Sequence, residues 1–492
     1  MKNKVLLINI FASILLFMTL FSVNDSNINY IKYLDIVAVF SLITIVLFVY
    51  SIYKLEKSIV NLFLIFELFL VIFNFGQFIA FYLCGNDFSV LTPYRNSLTA
   101  FPESIVKSTV NMCFLYIYSF HFGWLFFSKN IKKRNTQVVF NLITAKYIGL
   151  ALLLISIVPL IKYDSAYFVQ SIKYGYVLSD LSVNYGIIDD LARLYKVAVI
   201  FLIIGYSKEK KVKFIVLGNI IYSFLKIWLI GQRGYEFIFV IFIAVIYYTF
   251  IAKINFKKMI MLFVVVLFSL SLMKSVVYTR DSTQKVNFSS VVSNVVKDNI
   301  VVETLAEFGN TFYTAQIINY EVPNNVDFCY GKEFFMSTLT MLPNIGGLSN
   351  KLKEVNLIYQ MSITQYRGIG GSMIGEFYYN FGWLGFIFMF AFGDLCAKLS
   401  RKISFDEKID SVQAALYIAL FQNLIWFIRD SIMSLPRKCL FELILPYILY
   451  LIIKKVFVVK VHSENKKSIL RKKFSFYVRL ILYVYLTRYN ID

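Results

Sequence analysis

Apolar runs of about twenty residues with few or no charges recur along almost the whole chain, and no other feature limits the fold so strongly. A helix needs about 20 such residues to cross the hydrocarbon core of a bilayer. Segments near 5–23, 34–53, 59–83, 108–127, 145–161, 190–206, 213–231, 235–252, 259–277, 372–396, 411–432 and 439–457 meet that need, about 12 in all. The run 145–161 is the weakest, being short and broken by Pro159. Composition points the same way: 59% of residues are hydrophobic and 16% charged, against about 45–50% and about 25% in soluble domains. A water-soluble globular enzyme is excluded. Disorder is excluded too, because 50 Phe and 35 Tyr supply far more burial than a disordered chain carries. The expected fold is an all-α polytopic membrane protein. Residues 1–457 would form one transmembrane domain of about 12 helices, and 458–492 a basic cytoplasmic tail.

The formal net charge of +21 would suggest nucleic acid in a soluble protein, but here it reads as topology, with no nucleic-acid partner expected. Basic residues fill alternate short loops: Lys54 and Lys57; Lys129, Lys132, Lys133 and Arg134; Lys208, Lys210, Lys211 and Lys213; Lys253, Lys257 and Lys258; Lys398, Arg401, Lys402 and Lys408. The positive-inside rule places these loops and both termini in the cytoplasm. The first run, Val5 to Val23, lacks a small-x-small cleavage site and reads as a retained signal anchor. Beyond Lys454 the basic and aromatic residues fit an amphipathic segment on an anionic leaflet, with membrane lipids as its partner.

Loops 84–107, 162–189 and 278–371 fall on the other side, periplasmic or extracellular, and are longer and richer in Tyr, Asn and Ser. In the largest, helical periodicity covers 288–319, Pro323-Asn324-Asn325 reads as a turn, and 332–342 forms a second helix. The expectation is a helical hairpin re-entering over the membrane surface. The five cysteines show no metal spacing; Cys84 and Cys329 share the outer side, though exposure alone does not satisfy disulfide geometry. With only two histidines, no metal centre and no cofactor is expected. The absence of a visible internal repeat speaks against repeat-built transporters.

Charged residues at outer helix ends are the informative ones, since desolvation makes them costly. Gly231-Gln232-Arg233-Gly234 joins two apolar helices and holds Arg233 at the surface, either snorkelling or in a site. Lys226, seven residues earlier, lies on the same helix face, so the two cations can share one site. A glycine-dense loop delivers Tyr366 and Arg367, and the following helix carries Glu376 and Asn380 as i,i+4 neighbours. Arg429 ends another helix, and Arg280 follows the segment that closes near Val277. Guanidinium forks at a membrane surface suit a phosphate or diphosphate headgroup, and fixed cations stabilise a diphosphate as it leaves. Glu303 and Glu307 share a face in the large loop and fit either sugar hydroxyls or solvent. His121 fits a packed, hydrogen-bonded histidine better than a catalytic one, and Asp189, Asp190 and Arg193 fit structural pairs.

At these residues the sequence resembles the O-antigen polysaccharide polymerases of the Wzy family. The resemblance runs through Gly231-Gln232-Arg233-Gly234, Glu307-Phe308-Gly309-Asn310-Thr311-Phe312, Tyr330-Gly331-Lys332 with Met341-Leu342-Pro343, Arg367 through Gly385, and Arg429, covering roughly 225–435. It implies inverting, metal-independent glycosyl transfer between undecaprenyl-diphosphate-linked oligosaccharides on the outer face of a bacterial cytoplasmic membrane. A chain-length regulator and a flippase of the same pathway are the partners it suggests. Arg233, Arg367 and Arg429 would bind the diphosphates, with Lys226, Arg280, Tyr366, Asn380 and Glu307 as further substrate contacts. Glu376 as the base for the acceptor hydroxyl is a separate inference, from a carboxylate shielded from water. An O-antigen ligase is the competing enzyme, but a functional histidine in the large outer loop would be expected, and His121 and His462 both lie elsewhere. A flippase is the non-enzymatic alternative, and would favour a cationic cavity deep between helix bundles.

Overall fold

A computed structural model describes residues 2–25, 28–58, 61–91, 96–127, 137–140, 142–182, 186–230, 233–251, 300–343, 347–363, 366, 369–405 and 408–461. Helices dominate: α1 (Lys2–Asp25), α2 (Tyr30–Glu56), α3 (Leu62–Leu83), α4 (Glu103–Phe127), α5 (Leu142–Ser182), α6 (Ile187–Gly205), α7 (Val212–Ile230) and α8 (Arg233–Phe250). The large loop contributes α9 (Ile300–Phe308), α10 (Thr311–Glu321), α11 (Lys332–Thr338), α12 (Leu348–Val355) and α13 (Leu357–Ile363). After it come α14 (Met373–Phe381), α15 (Gly385–Phe405), α16 (Ser411–Phe427), α17 (Leu435–Cys439) and α18 (Leu445–Val461). The expected spans coincide with helix over most of their described residues, although 372–396 takes two helices and 411–432 outruns α16; 259–277 lies outside the described residues. Among the described residues, six helical stretches are long and apolar enough to cross a membrane by themselves.

Local chemistry sets the helix starts. Asn29 and Asn61 accept from the amides of Ile31 and Phe63 at the heads of α2 and α3, and Asp410 accepts from Val412 at the head of α16. Such caps satisfy amides that have no partner inside the helix. Contacts between loops show which helix ends lie together. Lys2 donates to the Phe126 carbonyl at 2.8 Å, Arg401 to that of Phe127 at 3.3 Å, and Lys146 pairs with Glu209. A short parallel pair, Gln137–Phe140 with Lys408–Asp410, stitches two loops at this basic end.

Four expectations need correction. Pro159 does not break its helix: α5 runs for 41 residues through it, because a proline removes one backbone bond and kinks a helix without ending it when packing holds both sides. Of the periodic stretch 288–319, residues 288–299 lie outside the described residues, and the rest is two helices interrupted at Gly309-Asn310. That hairpin does not cover the surface but enters the bundle, with nearly all of α10 buried. Its tip presses on α3 so closely that a β-carbon at Gly76 would collide with the Leu305 carbonyl, and one at Gly309 with the Gln77 amide. Lastly, the run 372–396 is split by Gly382, at φ +55°, into a half-helix α14 and the longer α15.

The core is aromatic. Phe75 stacks on Phe114 at 4.3 Å, Phe78 meets Phe312 edge-on at 5.0 Å, and Phe73 meets Phe308 at 5.3 Å. These pairs tie α3 to α4 on one side and to the hairpin on the other. His121 is packed as expected: it bonds Glu67 at 2.8 Å and stacks on Phe48 at 4.0 Å, all fully buried. The five cysteines are unpaired.

Candidate functional site

At the end opposite the basic loops, α16 finishes at Phe427 and the chain turns through Arg429-Asp430-Ser431. Asp430 is held from two sides, by Lys438 at 2.5 Å and by the Ser434 hydroxyl at 2.8 Å. Lys438 also donates to the Tyr235 hydroxyl at 2.8 Å, and the Tyr235 ring stacks on Trp426 at 3.5 Å. With Asp430 already engaged, half-buried Arg429 forms no ion pair with a carboxylate among the described residues. Its guanidinium packs instead on Phe73 and Trp426, 5.5 Å from each ring centroid.

Two other segments reach the same corner. A β-carbon at Gly234 would lie 3.3 Å from Nη1 of Arg429 and 3.2 Å from the Trp426 ring, so the first turn of α8 abuts that guanidinium. The loop before α14 crosses behind it: a β-carbon at Gly371 would collide with the Asp430 carbonyl. Met373 donates its amide to the Ile428 carbonyl at 3.1 Å, and Thr314 of the hairpin donates its hydroxyl to the Gly370 carbonyl at 3.0 Å. The backbone at Gly234, next to Arg233, and that at Gly370 and Gly371, three and four residues after Arg367, therefore flank the Arg429 turn. Arg233 opens α8, but its side chain lies outside the described residues, as do Arg367 and Arg280 altogether.

Glu376, Asn380 and Glu333 form a second cluster beside this corner, each 0% exposed. Glu376 accepts from the Ile432 amide at 2.7 Å. Asn380 donates to Glu333 at 2.9 Å and to the Glu376 carbonyl at 2.9 Å. One oxygen of each carboxyl has no partner. Burial pushes the Glu333 carboxyl up to about 7, although hydrogen bonds from Asn380 and the Leu357 backbone pull the other way. Glu376 offers no surface to a substrate hydroxyl in this arrangement; it braces the turn that carries Arg429.

Lys226 sits apart in a balanced network. It pairs with Asp164 at 2.8 Å and lies 3.8 Å from Glu236, which Lys196 holds at 2.9 Å and Ser223 at 2.9 Å. Nearby, Arg193 pairs with Asp189 at 2.7 Å, and Arg437 with Asp190 at 2.6 Å. Tyr366 donates to Glu321 at 2.9 Å, anchoring its loop to the end of the hairpin. Glu307 is half-buried in the last turn of α9. No group of three or more metal-ligating side chains occurs among the described residues. Sequence reasoning missed Glu333, Tyr235 and the Asp430–Lys438 pair. An acid in the first turn of a helix is ordinarily a favourable surface charge, so only burial marks Glu333 as special.

No curated protein and no solved structure matches the chain. The family model described as O-antigen polysaccharide polymerase Wzy matches residues 5–461, a range that takes in the spanning helices, the re-entrant hairpin and the Arg429 corner. The chain therefore belongs to the O-antigen polysaccharide polymerase Wzy family, polytopic membrane proteins that polymerise lipid-linked oligosaccharide repeat units.

Proposed function

We propose that this chain joins undecaprenyl-diphosphate-linked oligosaccharide repeat units at the outer face of the bacterial cytoplasmic membrane. The reaction breaks the bond between the anomeric carbon of the growing chain and its lipid diphosphate. A hydroxyl of the incoming unit attacks that carbon from the opposite face, forming the glycosidic bond with inversion. The hydroxyl proton passes to solvent or to the departing diphosphate, which keeps the bonding electron pair. Arg429, Arg233 and Arg367 bind the diphosphates and stabilise the charge that grows on the leaving group, with no metal required. Both termini are cytoplasmic in this reading, which puts the arginine corner outside.

One observation carries the reading: a guanidinium that has no carboxylate partner among the described residues, at the corner where Gly234 and the Gly370–Gly371 loop abut it. An unneutralised cation at a helix end in apolar surroundings is costly unless an anion arrives to use it. Glu376 and Asn380 act as positioning residues, holding the Ile432 turn rather than taking the acceptor proton. Lys226, with its two carboxylates, orders the helix beneath the Gly231–Gly234 link. Tyr366 and Glu307 line the approach to the corner, and Arg280 is the remaining cationic contact.

The test uses purified protein in detergent with lipid-diphosphate-linked repeat units, without nucleotide sugar or added metal. A ladder of lengthening lipid-linked chains is expected, suppressed by Arg233→Ala, Arg367→Ala or Arg429→Ala in protein that still folds. Transfer to a lipid A core without a ladder would make the chain a ligase. Movement of lipid-linked units between leaflets of liposomes, with no ladder, would make it a flippase.

A further inference from the structure

Arg429 and Asp430 are neighbours on the chain, yet they do not pair. Both oxygens of the Asp430 carboxylate are engaged elsewhere. Oδ2 accepts from the Lys438 ammonium at 2.5 Å and from the Ser434 hydroxyl at 2.8 Å, and Oδ1 accepts from the Ser431 amide at 2.8 Å. Lys438 belongs to α17 and is only 5% exposed. Its ammonium also donates to the Tyr235 hydroxyl at 2.8 Å and lies 6.0 Å from the centroid of the Trp426 ring. Arg429 rests on that same ring at 5.5 Å. Two cations thus share Trp426, and the carboxylate of Asp430 goes to the lysine.

That choice matters because a carboxylate and a diphosphate compete for one guanidinium: each offers paired oxygens to the fork. A carboxylate on the next residue would be a permanent competitor, at the effective concentration of a tethered group. The amides of Arg429 and Asp430 bond the carbonyls of Trp426 and Phe427 at 3.1 and 3.3 Å, which fixes the backbone of the turn. Re-pairing would therefore come from rotation of the two side chains about staggered torsions. Phe73 and Trp426 hold the guanidinium through ring contacts, which leave its charge unneutralised.

We propose that Lys438 is a positioning residue: by holding Asp430 it keeps that carboxylate off Arg429, so the guanidinium stays open to a lipid diphosphate. The inference rests on the reading of Arg429 as a diphosphate ligand. Lys438 acts through Asp430 and Arg429 and does not itself touch the substrate. Without the lysine charge, Asp430 keeps only the neutral donors of Ser431 and Ser434. A carboxylate so placed in apolar surroundings turns to the nearest cation left to it, and Arg429 is one residue away. Removing the carboxylate as well returns Arg429 to the state it has in the parent.

Equilibrium binding of undecaprenyl diphosphate to the full-length protein in detergent is measured alongside thermal unfolding. Lys438→Met should bind about tenfold more weakly, the scale of one charge-assisted bond. Lys438→Met combined with Asp430→Asn should return to within about threefold of the parent. In an Arg429→Ala background, Lys438→Met should add no further loss, because a residue acting through Arg429 has nothing left to protect. A merely structural role would weaken binding in both backgrounds. That outcome, or failure of Asp430→Asn to restore binding, overturns the proposal. Parent-like binding by Lys438→Met, while Arg429→Ala weakens it, overturns the proposal alone and leaves the diphosphate reading standing. Parent-like binding by Arg429→Ala overturns that reading, and this inference with it. Should Lys438→Met fail to fold, Asp430→Asn alone decides: binding at least as tight as the parent's is expected, and a loss of about tenfold in folded protein overturns the proposal.

Discussion

The two ends of the bundle differ in how completely they match buried charge, for the far end holds both matched pairs, such as Asp430 with Lys438, and groups without an opposite charge among the described residues. At the basic end, Glu56 receives donors from Trp124 at 2.8 Å, Arg401 at 3.3 Å and Asn61, and Glu67 is matched by His121. At the far end, Arg429 rests on aromatic faces and the Glu333–Glu376 pair on neutral donors, with no partner of opposite charge among the described residues. Compensated groups hold helices together and need nothing further. Uncompensated ones in apolar surroundings are tolerated where a ligand or a proton completes them. The difference separates scaffold from working surface without reference to conservation.

The largest effect should come from breaking the compensated end. Arg401→Ala leaves Glu56 buried with only neutral donors and should cost about 3 kcal/mol, the lower part of the range for breaking a buried pair. Thermal unfolding would show the loss, while the elongation rate per folded molecule stays near that of the parent. Arg429→Lys reverses the pattern. A point charge cannot fork onto a diphosphate, so the initial rate of ladder growth should fall about a hundredfold while the unfolding temperature holds. If both variants lose rate and stability together, the contrast between the ends is wrong.

Gly371→Ala sharpens the comparison. Its new methyl would lie 2.1 Å from the Asp430 carbonyl carbon, so that backbone must move by about 1 Å, and Arg429 with it, and a loss of about tenfold in rate is expected. The smallest effect concerns protons. Glu333 ordinarily titrates near 4.5 and near 7 in the fold, so its burial favours the folded state while it is protonated. Stability should decline as pH rises from about 4.5 to about 7 and level off above, and Glu333→Gln should lose most of that slope. A slope unchanged in Glu333→Gln would assign it to another group.

Much of this arrangement was legible in the sequence. Apolar run length located the helices, and glycine density beside Arg233 and Arg367 marked the segments that converge on Arg429. What escaped depends on contacts distant in sequence. Helices of 9 and 11 residues carry no spanning signal, so nothing local told that 300–321 enters the bundle. Gly382 sits within a run apolar enough to pass for one helix. Glu376 reads as a base in the sequence because a carboxylate shielded from water can be tuned to take a proton. Glu333, which Asn380 links to Glu376, lies 43 positions earlier, on a helix that packs beside it only in the folded molecule.

The re-entrant hairpin also bears on biogenesis. Neither of its arms could remain in hydrocarbon alone: both are too short to cross, the first carries Glu303 and Glu307, and the second Thr311, Thr314, Gln316 and Asn319. Its seat is built by α3 and α4, which leave the ribosome first: Gln77 bonds Asn310 at 2.6 Å, and Thr109 meets Asn319. Maturation thus has an obligatory sequence, membrane insertion of the early helices followed by slotting of the hairpin from the aqueous side. The corner that carries Arg429, resting on the hairpin through Thr314, is completed only at that last step.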